Sequence, residues 1–314
     1  MNSLRVWDLL ALGDPCADVM LTVDAAPSFG EKVLGRALGV FPGGTTANTA
    51  CAFARLGRRA AVYGHVGDDA HAALLRESLQ RFGVDTEHLR TEAGSASASV
   101  VAMIPSSGDR AIVYMPMALR IPEPQDLSAA LRQSRLLYAM PYDLDEFVVA
   151  SRIAREHGTL VAIDIEAAVA PDREAMQQRI ALADIAFFNE SGFIAGTGGA
   201  PTPQALAGLV AAGLQTVVVT LGAAGAVAAD ADGFARHRAF AQQVVDTTGA
   251  GDTFNAAFLV AMFEKQGLHE SLRFACAAAA CTVTAVGART GMPERAAVQR
   301  LLAGGVRGEV GASC

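Results

Sequence analysis

Aromatic residues make up only 6% of this 314-residue chain, and tryptophan occurs once. Its core must then be built from Ala, Val and Leu. Such small side chains let helices and strands approach closely, which suits a layered α/β protein better than an aromatic-rich β-sandwich. Cysteine is scarce too. The five thiols, Cys16, Cys51, Cys276, Cys281 and Cys314, are odd in number and form no C-x-x-C pair. That argues against a disulfide framework and predicts a reducing, cytoplasmic setting. Basic runs are absent and the net charge is -7, so a nucleic-acid partner, which demands clustered Lys and Arg, is not expected. Uninterrupted apolar spans are also missing. Asp8 breaks the early apolar run, and no secretory leader is predicted. The apolar stretch Gly208–Ala229 contains Gln215, Thr216 and several glycines. It reads as a helix end followed by a buried strand, Thr216–Leu221, and no membrane association is expected.

Several catalytic signatures are lacking as well. There is no G-x-x-x-x-G-K-[ST], and Gly196-Thr197-Gly198-Gly199 breaks the dinucleotide spacing with Pro201. The six histidines are scattered, with no zinc spacing, and no G-x-S-x-G elbow occurs.

What is present is a regular alternation. Hydrophobic residues are 52% and charged residues 18%, a composition that folds. A strand is predicted near Val6–Leu12, an extended piece at Glu31–Val40, a helix over Thr46–Leu56 and a buried strand at Ala61–Val66. Asp68 or Asp69 caps a helix that Gly83 stops. Ser97–Ile104 and Arg110–Met115 flank Ser106-Ser107-Gly108-Asp109 as a hairpin. Beyond Pro122, helices are predicted at 126–133, 145–156, 172–181, 203–212, 252–265, 270–286 and 293–302. Strands are predicted at 135–139, 159–164, 185–188, 216–221 and 225–229. This pattern implies a mostly parallel sheet covered by helices on both faces. The early extended pieces and the hairpin do not fit the alternation and read as a separate small β layer, a lid over the carboxyl ends of the sheet, where ligands of open α/β sheets bind.

The most informative stretch is Asp246-Thr247-Thr248-Gly249-Ala250-Gly251-Asp252, followed at once by a strong helix pattern. Gly249, Ala250 and Gly251 let a ligand lie against their N–H groups, at the point where a helix start supplies unpaired donors and a positive dipole end. That is an anion site. Asp252 in the same turn suits a base beside a transferring phosphoryl group. A plain glycine turn capped by Asp252 is the alternative.

Two segments together resemble the signatures of the ribokinase-like (PfkB) carbohydrate kinase family. One is Gly43-Gly44-Thr45-Thr46-Ala47-Asn48-Thr49-Ala50; the other runs from Asp246 to Asp252. Gly67-Asp68-Asp69, Gly83-Val84-Asp85, Asn189-Glu190 and Thr220-Leu221-Gly222-Ala223-Ala224-Gly225 match between them, so the resemblance extends from about Asp8 to Pro293. It implies one ribokinase-like kinase domain over 1–314, with a β lid built from about 16–41 and 96–118. It also implies Mg-ATP-dependent phosphorylation of a hydroxymethyl oxygen. Asp252 matches the catalytic base, and Gly249, Ala250 and Gly251 match the anion hole. Thr220, Gly222 and Gly225, with Asn189, match the nucleotide site.

The resemblance further implies that Asp18, Gly43, Gly44 and Asn48 hold the acceptor. Taken singly, Asp18 reads as a turn residue and Asn48 as a helix cap. Ribokinases in that family carry Lys where Thr45 stands and Asn where Cys16 stands. Cys16 therefore either faces the acceptor or simply packs. Tyr114-Met115-Pro116-Met117 forms either an apolar wall for a base or sugar, or ordinary lid packing. The family's N-x-x-E, which organises water around Mg²⁺, becomes Asn189-Glu190-Ser191-Gly192, leaving Glu190 as the candidate metal-directed carboxylate. A K⁺ ion is implied beside the anion hole, on the Asp246 and Thr248 loop and a loop near Val286–Gly291. A homodimer formed through the lid is implied as well. The acceptor is then a sugar, a sugar acid or a nucleoside; the competing reading is a non-catalytic binding protein with the same fold.

Overall fold

The computed structural model describes residues 5–105, 111–117 and 123–304. The chain opens with β1 (Trp7–Leu12), β2 (Cys16–Val23) and β3 (Gly35–Gly43), then α1 (Thr45–Arg55), β4 (Ala60–Gly67), α2 (Ala70–Arg81) and β5 (Leu89–Glu92). β6 (Ser99–Pro105) and β7 (Ala111–Met115) follow. The alternation then runs α3 (Pro124–Arg132), β8 (Ser134–Ala139), α4 (Leu144–Glu156), β9 (Leu160–Ile165), α5 (Arg173–Ile180) and β10 (Ile185–Asn189). After α6 (Glu190–Thr197) and α7 (Pro203–Ala211) come β11 (Thr216–Thr220), β12 (Ala226–Asp230) and β13 (Gly233–His237). The chain closes with α8 (Ala250–Phe263), α9 (Leu268–Thr282) and α10 (Arg295–Gly304).

Nine strands form the main sheet in the order β13-β12-β11-β10-β9-β8-β1-β4-β5. It is parallel from β11 through β5, and β12 and β13 add an antiparallel edge. Alternate residues of one strand serve opposite faces, as the two-residue period of a strand requires. Leu9, Ala11, Phe187 and Val218 join the core beneath α1, α8 and α9, whereas Leu10, Leu12, Phe188 and Val219 join the core beneath α4 and α7. With both faces covered, the strands read as continuous apolar runs in the sequence. Ala256, Ala257 and Ala261 of α8 and Ala275, Ala277 and Ala278 of α9 are fully buried, and the two helices pack together through these small side chains.

The smaller sheet, β3-β2-β6-β7, stands apart, with β2 parallel to β6 and its other neighbours antiparallel. The chain leaves the main sheet at the carboxyl end of central β1 and enters the small sheet at once. This places the small sheet beside the carboxyl ends. The turn at Ser106–Asp109 lies outside the described residues, as does Cys314.

Asp69 caps α2, accepting from the His71 and Ala72 N–H groups at 3.1 Å each. Four elements carry no sequence expectation as such: β2, β5, β13 and α6. Helix α6 escaped because Gly192 and Gly196 argue against a helix interior. The structure gives the reason for both. A Cβ on Gly192 would sit 2.3 Å from the Ile165 carbonyl oxygen, and one on Gly196 would sit 2.5 Å from the Met176 sulfur. The glycines let α6 press onto the end of β9 and onto α5.

Phe187 is fully buried, edge-on to Phe258 with ring centroids 5.7 Å apart. Phe187→Ala is expected to lose about 3–5 kcal/mol of stability in urea unfolding. Phe234→Ala, on exposed edge strand β13, is expected to stay within about 0.5 kcal/mol of the parent.

Candidate active site

A cavity of about 480 Å³ opens between the carboxyl ends of the main sheet and the small sheet. One wall is the turn that starts α8. Gly249 adopts φ +77°, and a Cβ there would meet the Ala288 carbonyl oxygen at 2.4 Å, so only glycine fits. The Ala250 N–H closes the turn on the Thr247 carbonyl at 3.2 Å, and the Thr253 N–H bonds the Gly249 carbonyl at 2.9 Å. Gly251 and Asp252, in the first turn of α8, line the cavity, where helix geometry leaves their N–H groups without intrahelical partners. The turn is held from behind by Asp246. Its Oδ1 accepts from the Thr248 N–H at 2.9 Å and the Thr248 hydroxyl at 2.7 Å, and its Oδ2 accepts from the Gly287 N–H at 2.9 Å.

Asp252 lies at the floor of this cavity, partly buried. Burial pushes its carboxyl up to about 7, with the neighbouring Glu166 and Asp18 carboxylates adding to the rise; the Asn48 hydrogen bond and the Arg289 charge oppose it. Asn48 Nδ2 donates to Asp252 Oδ2 at 2.8 Å. On its other side Asn48 Oδ1 accepts from Arg289 Nε at 2.8 Å. Beneath the base, Asn255 Nδ2 donates to the Tyr138 hydroxyl at 2.9 Å and to Asp164 Oδ2 at 3.0 Å. Burial, with the Glu166 and Asp252 carboxylates, holds the Asp164 carboxyl well above the ordinary range, against the hydrogen bonds from Tyr138 and Asn255.

On the opposite side of the cavity stand Asp14, Asp18, Cys16 and Gly44. Burial pushes Asp18 up to about 6, countered by a hydrogen bond from the Cys16 thiol and by the Arg289 charge. Cys16 is buried and its pKa is strongly raised, chiefly by that burial. It is therefore a thiol donor to Asp18, not an exposed nucleophile. A Cβ on Gly43 would lie 2.2 Å from Asp18 Oδ2, so Gly43 is what lets β3 pass that carboxylate. Asp14 Oδ1 accepts from the His65 N–H at 2.7 Å. The apolar wall comes from Met20, Val100 and Ile112 of the small sheet. Tyr114 of β7 reaches Tyr142 of the main body, with ring centroids 6.4 Å apart.

The structure thus brings Asp18, Gly44, Asn48, Gly249, Gly251 and Asp252 to one cavity together with Thr248, and sets Gly43 beside Asp18. Asn189, Glu190, Thr220, Gly222 and Gly225 do not line it. They form a separate ledge, since Asn189 and Thr220 are paired partners at the carboxyl ends of β10 and β11. Asn189 caps α6 by accepting from the Gly192 N–H at 2.7 Å, and Glu190 is exposed. Gly222 opens a short 3₁₀ turn at φ +54°, and Gly225 passes at φ +95° where a Cβ would strike the His237 carbonyl oxygen.

Sequence reasoning did not single out Asp14, Glu166 or Arg289 as site residues. Glu166 lines the cavity just past β9, and burial raises its carboxyl. Arg289 stood out only as part of a loop of small residues, with nothing in the spacing to signal that its side chain is buried.

Comparison with known proteins agrees with this geometry. Residues 8–295 match the pfkB family carbohydrate kinase. The chain is 32% identical to the ribokinase of Bacillus subtilis (strain 168) over 301 residues, covering 94% of this chain and 99% of that one. It is 31% identical to the aminoimidazole riboside kinase of Salmonella typhimurium over 271 residues, covering 80% and 85%. Among solved structures, Arabidopsis thaliana ribokinase complexed with ribose and ATP superposes with a TM-score of 0.85 at 29% identity, covering 94% of this chain and 98% of that one. With its fold and a match over most of its length, the chain belongs to the pfkB family of carbohydrate kinases.

Proposed function

We propose that this carbohydrate kinase transfers the γ-phosphoryl group of ATP to a primary hydroxyl of an uncharged sugar or sugar derivative, with Asp252 as the general base. The observation that carries the reading is the pairing of Asp252 with the start of α8. The carboxylate accepts a proton from the acceptor hydroxyl, while the N–H groups of Gly251 and Asp252 hold the charge on the transferring group; the Ala250 N–H is instead used to close the turn on Thr247. Asn48 already occupies Asp252 Oδ2, which leaves Oδ1 for the acceptor. In this reading Asp18 binds acceptor hydroxyls, helped by the glycine pair Gly43-Gly44. Thr220, Gly222, Gly225 and Asn189 form the nucleotide ledge. The described residues make one kinase domain whose small sheet is the lid, closing on the acceptor and excluding water.

The donor set fits Mg²⁺, which prefers carboxylate oxygens and retained waters. Glu166 and Glu190 follow adjacent strands, β9 and β10, and would hold its hydration shell. Held there with ATP, the ion would supply positive charge to the phosphate oxygens. A K⁺ ion would rest on carbonyls of the Asp246–Thr248 segment and of the loop around Gly287, and the Asp246 carboxylate that ties those segments together supports this placement. The apolar side chains Ile112, Val113 and Met115 exposed on edge strand β7 support a homodimer through the lid. The free thiols of Cys16, Cys51, Cys276 and Cys281 support a cytoplasmic setting, and no described helix is long and apolar enough to cross a membrane.

The charge of the lining narrows the acceptor. Asp14, Asp18, Glu166 and Asp252 line the cavity, and no Lys or Arg does so among the described residues. A sugar acid would meet like charge in a poorly solvated space. A nucleoside is the second reading, favoured by the Tyr114–Tyr142 pair, which offers ring faces to a base.

ADP release with Mg-ATP should appear with a neutral sugar or nucleoside and stay at background with the corresponding sugar acids. Asp252→Asn should lose about 10²–10⁴-fold in kcat, while ADP affinity measured by calorimetry changes by less than about threefold. Unchanged turnover in that variant would remove Asp252 as base. Because the base must be ionised and its carboxyl is pushed up to about 7, kcat/KM should fall about tenfold per pH unit below that value and level off above it.

A further inference from the structure

Arg289 is an unusual cation. It is only 6% exposed, yet among the described residues its side-chain hydrogen bonds all go to neutral groups. Nε donates to Asn48 Oδ1 at 2.8 Å, Nη1 to the Ser78 hydroxyl at 2.9 Å and Nη2 to the Gly43 carbonyl at 2.8 Å. Among the described residues it forms no direct ion pair. A buried cation bonded only to neutral acceptors is costly, so its retention calls for a reason beyond packing. The three acceptors lie on α1, on α2 and at the root of the small sheet, where β3 ends. The loop that carries Arg289 also supplies the Gly287 N–H to Asp246 and the Ala288 carbonyl against Gly249.

The chemistry of the amide decides what this contact does. A guanidinium only donates. Asn48 must therefore turn its oxygen towards Arg289, and its Nδ2 is then the group that faces Asp252. A flipped amide would present an oxygen to a carboxylate and push the two apart. Ionised Asp252 favours the same orientation, but once Asp252 is protonated it can also donate to an amide oxygen, and only Arg289 then holds the amide in place.

We propose that Arg289 is a positioning residue for catalysis: it locks the Asn48 amide in the orientation that donates to Asp252 Oδ2, leaving Oδ1 aimed at the acceptor hydroxyl. This rests on the reading of Asp252 as general base. Arg289 touches no reacting atom and acts through Asn48, while its grip on Gly43 ties the same side chain to the root of the lid.

The test is the pH profile of kcat/KM, with kcat and both KM values and a thermal unfolding midpoint, for Arg289→Gln, Arg289→Lys, Asn48→Ala and the Arg289→Gln/Asn48→Ala pair. The sign follows from the charges. The Asn48 bond and the Arg289 charge both favour ionised Asp252, so losing either raises its titration and moves the acid limb to higher pH. The other groups facing Asp252 are Glu166 and Asp164 from the end of β9, Asp18 from β2 and Tyr138 from β8. All remain in every variant. Arg289→Gln is expected to move the limb up by roughly half to one pH unit and to lower kcat about 10–100-fold, with KM for ATP within about threefold. Arg289→Lys keeps the charge but not the forked geometry, so it should lose kcat with a smaller limb shift. If Arg289 acts through Asn48, the double variant should resemble Asn48→Ala alone in kcat.

A lower unfolding midpoint with kcat and limb unchanged would overturn the proposal, as would fully additive losses in the double variant. Should Arg289→Gln fail to fold, Arg289→Lys decides: unchanged kcat there refutes the locking role. The Asp252→Asn control separates the two readings. If it is inactive and the Arg289 variants are normal, only the positioning role falls. If it is active, the assignment of the base falls first.

Discussion

Asp252 is held between opposing demands. In the proposed role of base it must be ionised at some working pH and sit close to an electron-rich phosphate. Burial and the neighbouring acids Glu166 and Asp18 drive it towards the neutral form. The Asn48 amide and the Arg289 charge drive it back. The balance leaves the carboxyl close to neutrality, where a base is both available and strong enough to draw a proton from an alcohol. Much of the surrounding structure serves that balance. Gly249 must be glycine to let the Gly287–Gly291 loop approach. Asp246 binds both segments, and Arg289 reaches from the second of them to the amide that meets the base.

The fold makes this arrangement affordable by separating rigid and adaptable parts. Parallel strands β11 through β5 carry nearly continuous apolar runs and are packed on both faces, so the carboxyl-end loops project from a firm platform. Alanine-rich contacts between α8 and α9 let the first turn of α8 be placed closely. The small sheet has much more exposed strands and supplies the other wall. The cavity is thus divided between a main body that holds Asp252 and a small sheet that brings Asp18 and an apolar surface. The line between them runs through Gly43 and Gly44, at the residue whose carbonyl Arg289 holds.

Legibility in the sequence followed the range of the interaction concerned. Most helices and the inner strands of the main sheet were readable because each is written in local periodicity, whereas the edge strands β5 and β13 were not. A cap at Asp68 or Asp69 and a stop at Gly83 were readable for the same reason, and the structure places the cap on Asp69. Helix α6 was not, since Gly192 and Gly196 look like breakers until the Ile165 carbonyl and the Met176 sulfur are seen against them. The two signature segments marked Asp252, the glycines beside it and Asn48. They did not show that Asn48 is spent between a guanidinium and the base.

Local sequence by itself determined the α/β layering, the glycine turn at the start of α8 and the identity of its acidic neighbour, because a glycine turn running into an apolar helix is a short-range pattern. Tertiary structure alone decided what surrounds that turn. Asn48 and Asp252 stand 204 positions apart, and Arg289 and Asn48 stand 241 apart. Whether such residues meet depends on how the sheet orders its strands and how the helices pack across it. The charge state of a carboxylate depends on the water those contacts remove and the partners they leave.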